Sequence, residues 1–198
     1  MAAGTPSPCA DGPHFRREGS APLTDAYDTL GFAPVFDLDG PTLERRHREL
    51  SRALHPDRYA GRPASERQRA LGRAIEVNEA FRKLRDPVGR AEVLLARLGR
   101  HVTETSAAPA SPALLMEVME QREALGEARQ QRDLARVRAL MRGVQVREQR
   151  VVAEMTKAFV QRPPDMARIE ALLGELRYHR RFIEEAAGVE DDLDASPA

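Results

Sequence analysis

Residues 45–63 read RRHRELSRALHPDRYAGRP. An arginine-rich helical run stops at His55-Pro56-Asp57. Pro56 disfavours helical geometry at His55 and removes a backbone donor, so it ends the helix and stiffens the turn. Asp57 can accept hydrogen bonds from nearby amides or from an arginine. On a helical wheel Leu43, His47, Leu50 and Leu54 share one stripe, which marks the buried side. Arg45, Arg48 and Arg52 fall opposite it, on a face of one sign that runs into the tripeptide. A rigid polar knuckle beside a basic stripe loses little entropy when it docks on a partner. A solvated charged face is the plainer alternative. A catalytic His–Asp pair lacks a serine or cysteine nucleophile in any recognisable motif. A metal site lacks further ligands, because His14, His47, His101 and His179 show no ligand spacing.

Outward from this stretch, nearly everything beyond residue 23 reads as helix. Glycine and proline fall at the breaks. A short helix is expected over 24–32, a second over 41–54 with Pro41 in its first turn, and a third from 64 or 65 to 84. Asp86-Pro87 ends the third, and a fourth follows over 89–99. Residues 100–110 form a polar, proline-containing linker. Three more helices are expected over 112–129, 131–160 and 164–187, with Pro163-Pro164 as a forced interruption. The fold class is therefore all-α, in two units, 24–99 and 111–188, and three helices with short loops make an antiparallel bundle. Residues 1–23 and the acidic stretch 189–198 are expected to be disordered tails.

Composition narrows the function classes. The 198 residues carry 31 Lys+Arg and 31 Asp+Glu, so net charge is zero. Residues 43–90 hold 13 basic and 7 acidic side chains, a local excess suited to an acidic partner. Neutral charge overall, few aromatics and dispersed arginines argue against a nucleic-acid binder. Cys9 is the only cysteine, which leaves no internal disulfide and no cysteine-built zinc or iron–sulfur centre within one chain. No apolar run reaches membrane-spanning length and no secretory signal opens the chain, so a cytoplasmic protein is expected. No phosphate-cradling glycine loop is present. No cofactor, metal, nucleic acid or membrane partner is expected.

The second unit carries a distinct surface signal. In the helix over 112–129, Leu114, Val118, Gln121, Leu125 and Ala128 form the core stripe. Leu115, Met116 and Met119 lie well away from it, edged by Glu120 and Glu123. An exposed Leu/Met patch is costly unless something covers it, and methionines suit an adaptable contact surface. In the last helix, a wheel set on Ile169 puts Leu172, Leu173, Leu176 and Ile183 on the core side and turns Tyr178 and Phe182 away. The alternative is that a third helix or the first unit covers both patches.

A short helix with YDTLGF, a basic helix, His-Pro-Asp, a loop and a long helix with NEAFRKLRDPVGRAE resemble a J domain, a helical hairpin with short flanking helices. J domains stimulate ATP hydrolysis by DnaK-type chaperones. The resemblance implies that His55, Pro56 and Asp57, with Arg45, Arg48, Arg52 and Arg58, bind an acidic surface of such a chaperone. It also implies a domain core of Tyr27, Leu30, Leu50, Leu54, Ile75, Phe81 and Leu84. Together with LLMEVMEQREALGE and LRYHRRF, the stretch over 24–187 is similar to the HscB family, J-type co-chaperones of iron–sulfur cluster biogenesis. That likeness implies an iron–sulfur scaffold protein bound by the C-terminal bundle through Leu115, Met116, Met119, Glu120, Glu123 and Tyr178. It also implies an HscA/DnaK-type ATPase as chaperone and a non-enzymatic adaptor role. Some relatives carry paired CxxC motifs for zinc at the N-terminus; Cys9 alone cannot supply them. The competing reading is a J-domain co-chaperone for a different client, with the bundle as an interaction or dimerisation module.

Overall fold

The structure is a computed structural model that describes residues 25–102 and 111–195. The expected N-terminal tail, most of the linker and the last three residues lie outside the described residues. Those described form seven α-helices and one 3-10 turn, with no strand.

Local chemistry sets each helix start. Asp25 caps α1 (Ala26–Leu30), its carboxylate accepting the amides of Tyr27 and Asp28, and Gly31 ends the helix at φ 75°. Asp39 caps α2 (Gly40–Ala53) by accepting the Thr42 amide, with Pro41 in the first turn. His55 sits at φ −60° and ψ 134°, the extended geometry that Pro56 demands of it. The 3-10 turn Pro56–Tyr59 leads to α3 (Ala64–Arg85). Asp86 then caps α4 (Pro87–Arg97) through the Val88 and Gly89 amides. This corner requires glycine at 89, because a Cβ there would stand 2.5 Å from the Lys83 carbonyl oxygen. Ser111 caps α5 (Pro112–Gln130) and Asp133 caps α6 (Leu134–Val160), while α7 (Met166–Ala195) follows the proline pair.

The first unit folds as a hairpin of α2 and α3 braced by α1. Tyr27 and Leu30 are fully buried, and the Tyr27 hydroxyl donates to the Val35 carbonyl at 2.7 Å. Burial pushes that phenol up to about 12. The Arg46 Nε reaches from α2 to the Leu30 carbonyl at 3.0 Å and ties α1 to the hairpin. In the second unit α6 runs against both α5 and α7. The last two are parallel, as the pairs Arg122–Glu185 (3.2 Å) and Arg129–Asp192 (3.0 Å) require.

One apolar core spans both units. Tyr27, Phe36, Leu43, Leu84, Leu94 and Leu95 belong to the same buried cluster as Val151, Met155, Ile169, Leu172 and Leu176. A second cluster, with Leu125, Val137, Val144, Phe182, Ala186 and Val189, fills the far end of the bundle. The layer between holds polar groups: Gln121 on α5 and His179 on α7 are buried, and Arg147 of α6 pairs with Glu117 of α5 at 2.9 Å.

Three sequence expectations are corrected. Residues 189–195 continue α7, with Val189 buried. Their carboxylates are neutralised by bundle arginines: Arg138 meets Glu190 at 2.6 Å and Asp194 at 3.3 Å, and Arg129 meets Asp192. Phe182 is a core residue, 2% exposed. The buried positions of α7 change partners along the helix: Ile169, Leu172, Leu173 and Leu176 belong to the first core, and Phe182, Ala186 and Val189 to the second. Phe182 lies about 140° round an ideal helix from Ile169, and it is buried because α5 and α6 side chains pack there in the second core, which a wheel fixed on Ile169 cannot mark. Ile75, expected in the core, is 50% exposed, because α2 covers α3 through Phe81 and Asn78 and leaves the next face open. Leu50, Leu54 and Phe81 are half-buried and pack against the core.

Candidate functional site

The tripeptide stands at the tip of the α2–α3 hairpin. Pro56 opens the 3-10 turn, and the His55 carbonyl accepts the Arg58 amide at 3.0 Å. The Asp57 amide donates to His55 Nδ1 at 3.3 Å, and the Asp57 carboxylate lies 3.4 Å from the same nitrogen. With Nδ1 accepting, the proton of a neutral ring sits on Nε2, which becomes its donor. Both side chains are open to solvent, 59% exposed for His55 and 89% for Asp57. The tip is thus held from within by backbone contacts and offers its functional groups outward.

Arg45, Arg48, Arg52 and Arg58 are all exposed. Arg45 donates to the Thr42 hydroxyl at 3.1 Å, and Arg48 stands 3.5 Å from Glu44. These are loose contacts at the surface, where an ion pair contributes at most about 1 kcal/mol, so the guanidiniums can exchange them for a partner's carboxylates. Beneath them His47 stacks on Phe81 with centroids 4.1 Å apart and meets the Asn78 side-chain oxygen at 2.9 Å. That contact fixes the register of α2 on α3.

The second candidate surface lies on α5. Leu115, Met116 and Met119 are 43%, 64% and 70% exposed, and Glu120 and Glu123 are exposed beside them. Opposite them Val118, Gln121, Leu125 and Ala128 are buried, as the wheel predicts. Neither the third helix nor the first unit covers the Leu/Met patch. Tyr178 is half-buried on α7. The α5–α7 register set by 122 with 185 and 129 with 192 is an offset of 63, which brings Tyr178 level with Leu115. The tripeptide therefore stands at the hairpin tip with Arg52 and Arg58 next to it, Arg48 and Arg45 follow along α2, and the α5 residues extend over two turns from the level that Leu115 shares with Tyr178.

Sequence reasoning missed the residues that hold these surfaces in place. The Phe36 and Phe159 rings stack at 5.3 Å, and the Arg90 guanidinium lies 5.2 Å from the Phe36 ring centre. Arg177 pairs with Glu92 at 2.7 Å, Arg100 with Glu170 at 2.9 Å, and Arg180 with Asp86, the cap of α4. Partners more than 50 positions apart leave no local periodicity to detect. Among the described residues, no helix is long and apolar enough to cross a membrane.

Known proteins share this arrangement. Residues 110–187 match the family described as the HSCB C-terminal oligomerisation domain. The solved chaperone HscB of Vibrio cholerae superposes with a TM-score of 0.72 at 28% identity, covering 85% of this chain and 99% of that one. The human co-chaperone HscB gives a TM-score of 0.73 at 23% identity over 93% of each chain, a likeness of fold. A co-chaperone HscB homologue of Shewanella baltica is 30% identical over 169 residues, 84% of this chain and 97% of the relative. With nearly the whole of that relative matched, the chain belongs to the HscB family of co-chaperones.

Proposed function

We propose that this co-chaperone is a two-ended adaptor. Its bundle binds the iron–sulfur scaffold protein through Leu115, Met116, Met119, Glu120, Glu123 and Tyr178. Its J domain docks His55, Pro56, Asp57, Arg45, Arg48, Arg52 and Arg58 on the acidic face of an HscA/DnaK-type chaperone. Docking stimulates ATP hydrolysis by that chaperone, which then closes on the delivered scaffold and assists cluster transfer. The hydrolysis belongs to the partner, and the adaptor works in the cytoplasm without a cofactor of its own.

The observation that carries this reading is the exposed Leu115/Met116/Met119 face, on a bundle whose helices α6 and α7 share a buried core with the unit that bears the His-Pro-Asp tip. An apolar patch of that kind is tolerated where a partner covers it. Titration calorimetry against the iron–sulfur scaffold protein of the same organism tests it. A saturable one-to-one isotherm is expected. No heat at any accessible concentration, with no binding by a second method, would leave a J protein for another client. The match of residues 110–187 to an oligomerisation domain favours one alternative, in which the bundle pairs two copies. Sedimentation of the protein alone distinguishes it.

A further inference from the structure

Two aliphatic side chains on α3 have no part in the core. Leu71 is 59% exposed and Ile75 50% exposed, one turn apart, and neither belongs to a buried cluster or its packed rim. The rest of this outward surface of α3 is polar, with Arg67, Gln68, Asn78 and Arg82. The hairpin register says what lies beside them. His47 meets Asn78 and Phe81, so one turn toward the tip on α2 corresponds to one turn back on α3. Ser51, whose hydroxyl contacts His47 at 3.3 Å, comes level with Ile75, and His55 comes level with Leu71. Arg48 and Arg52 flank Ser51 on the outer side of α2. The groove between the two helices thus has arginines on one wall, an aliphatic pair on the other and His55-Pro56-Asp57 at its end.

We propose that Leu71 and Ile75 extend the J domain's docking surface, so that the chaperone's acidic face also buries this aliphatic pair. The inference rests on the chaperone reading above and adds a second kind of contact to it. Charge selects the occupant. A second copy of this chain, joined through the same surface, would set one arginine-lined groove against another, whereas an acidic partner satisfies the arginines. The two contacts have different physics. The arginine contribution is screened by salt, and the burial of aliphatic surface is not.

The test follows steady-state ATP turnover by the DnaK-type chaperone of the same organism against co-chaperone concentration, at low and at high salt. Glutamine at both positions keeps α3 intact, being a good helix former. For L71Q/I75Q the half-maximal concentration is expected to rise about tenfold at both salts, with the same plateau rate. The deficit of R48A/R52A is expected to shrink at high salt. A curve for L71Q/I75Q that superimposes on wild type, while H55Q is silent, overturns the aliphatic contact and leaves the chaperone reading intact. A wild-type chain that stimulates nothing removes that reading and this inference with it. A dimer in sedimentation that L71Q/I75Q dissolves assigns the pair to self-association and also overturns the inference. If the double variant melts below wild type, I75Q alone carries the test, with a rise of about threefold expected.

Discussion

His179 is a weak point of the bundle toward acid. It is 1% exposed, and neither ring nitrogen has a hydrogen-bond partner among the described residues. Burial lowers its pKa from the ordinary histidine value, and Arg147 lowers it further, against an opposing pull from Glu117. The sign follows from linkage. The unfolded chain takes up a proton as pH falls through about 6.5, while the folded protein holds this ring neutral to lower pH. The unfolded state binds more protons, so stability is lost as pH falls. For one such group the loss between pH 7 and pH 5.5 is at most about 1.2 kcal/mol. At neutral pH the two unpartnered nitrogens add a desolvation penalty of about 1–3 kcal/mol. His179→Leu removes both effects at similar volume. Urea unfolding at pH 7 and pH 5.5, on wild type and variant, measures them. The variant is expected to be more stable by about 1–3 kcal/mol at pH 7, and by about 1 kcal/mol more than that at pH 5.5. Glu175, one turn away, titrates with the opposite sign because burial raises its pKa. It is present in both proteins, so their difference isolates the histidine. An equal acid loss in both, or a less stable variant, would refute the reasoning.

Four further outcomes are expected. Gly89→Ala drives a Cβ to 2.5 Å from the Lys83 carbonyl oxygen and should cost about 2–3 kcal/mol; an unchanged melting curve would show that the α3–α4 corner opens freely. His55→Gln, at an exposed tip, should abolish chaperone ATPase stimulation without altering thermal stability, and an unchanged stimulated rate would sink the tripeptide's role. Leu115→Ala with Met119→Ala should weaken scaffold binding by roughly 10- to 100-fold in calorimetry and spare ATPase stimulation in the absence of scaffold. Ending the chain at Gly188 removes buried Val189 and the acidic partners of Arg129 and Arg138; a loss of about 1–2 kcal/mol in urea unfolding is expected, where a disordered tail would give none.

What could be read in advance was whatever short-range chemistry determines. Asp39, Asp86 and Ser111 accept the amides of their own first turns, and Pro41, Pro56 and Pro87 admit one backbone geometry each, so the hairpin and its tip follow from the residues there. The α5 patch was legible because a 19-residue helix drifts little from its wheel, and its outer Leu/Met face stayed outside. Along the 30-residue α7 the neighbours change from the first core to the second, and Phe182 is buried by the α5 and α6 side chains of the second. The acidic end of α7 looked unfoldable because its counter-charges, Arg129 and Arg138, sit 52–63 positions earlier. Ile75 was misplaced for a related reason. An aliphatic residue in a helix signals burial or docking alike, and only the position of α2 tells which.

The junction of the two units decides how the ends of the adaptor communicate. The ion pairs across it, Arg177–Glu92, Arg100–Glu170 and Arg180–Asp86, are each partly open to solvent, and pairs of that kind contribute about 0–1 kcal/mol apiece. Phe36 alone is 3% exposed and stacked on Phe159, and burying one such ring is worth about 2–3 kcal/mol. The shared apolar core therefore holds the units together, and the arginines set their angle. A tether of flexible residues would spread the distance between tip and patch over a distribution set by its length. Here that distance is a property of packed side chains, so a scaffold protein bound on α5 would meet the chaperone at one fixed separation and orientation. The proposed delivery is then a matter of geometry built into α6 and α7, which pack on the first unit through one core and on α5 through the other, and it needs no message passed between the surfaces.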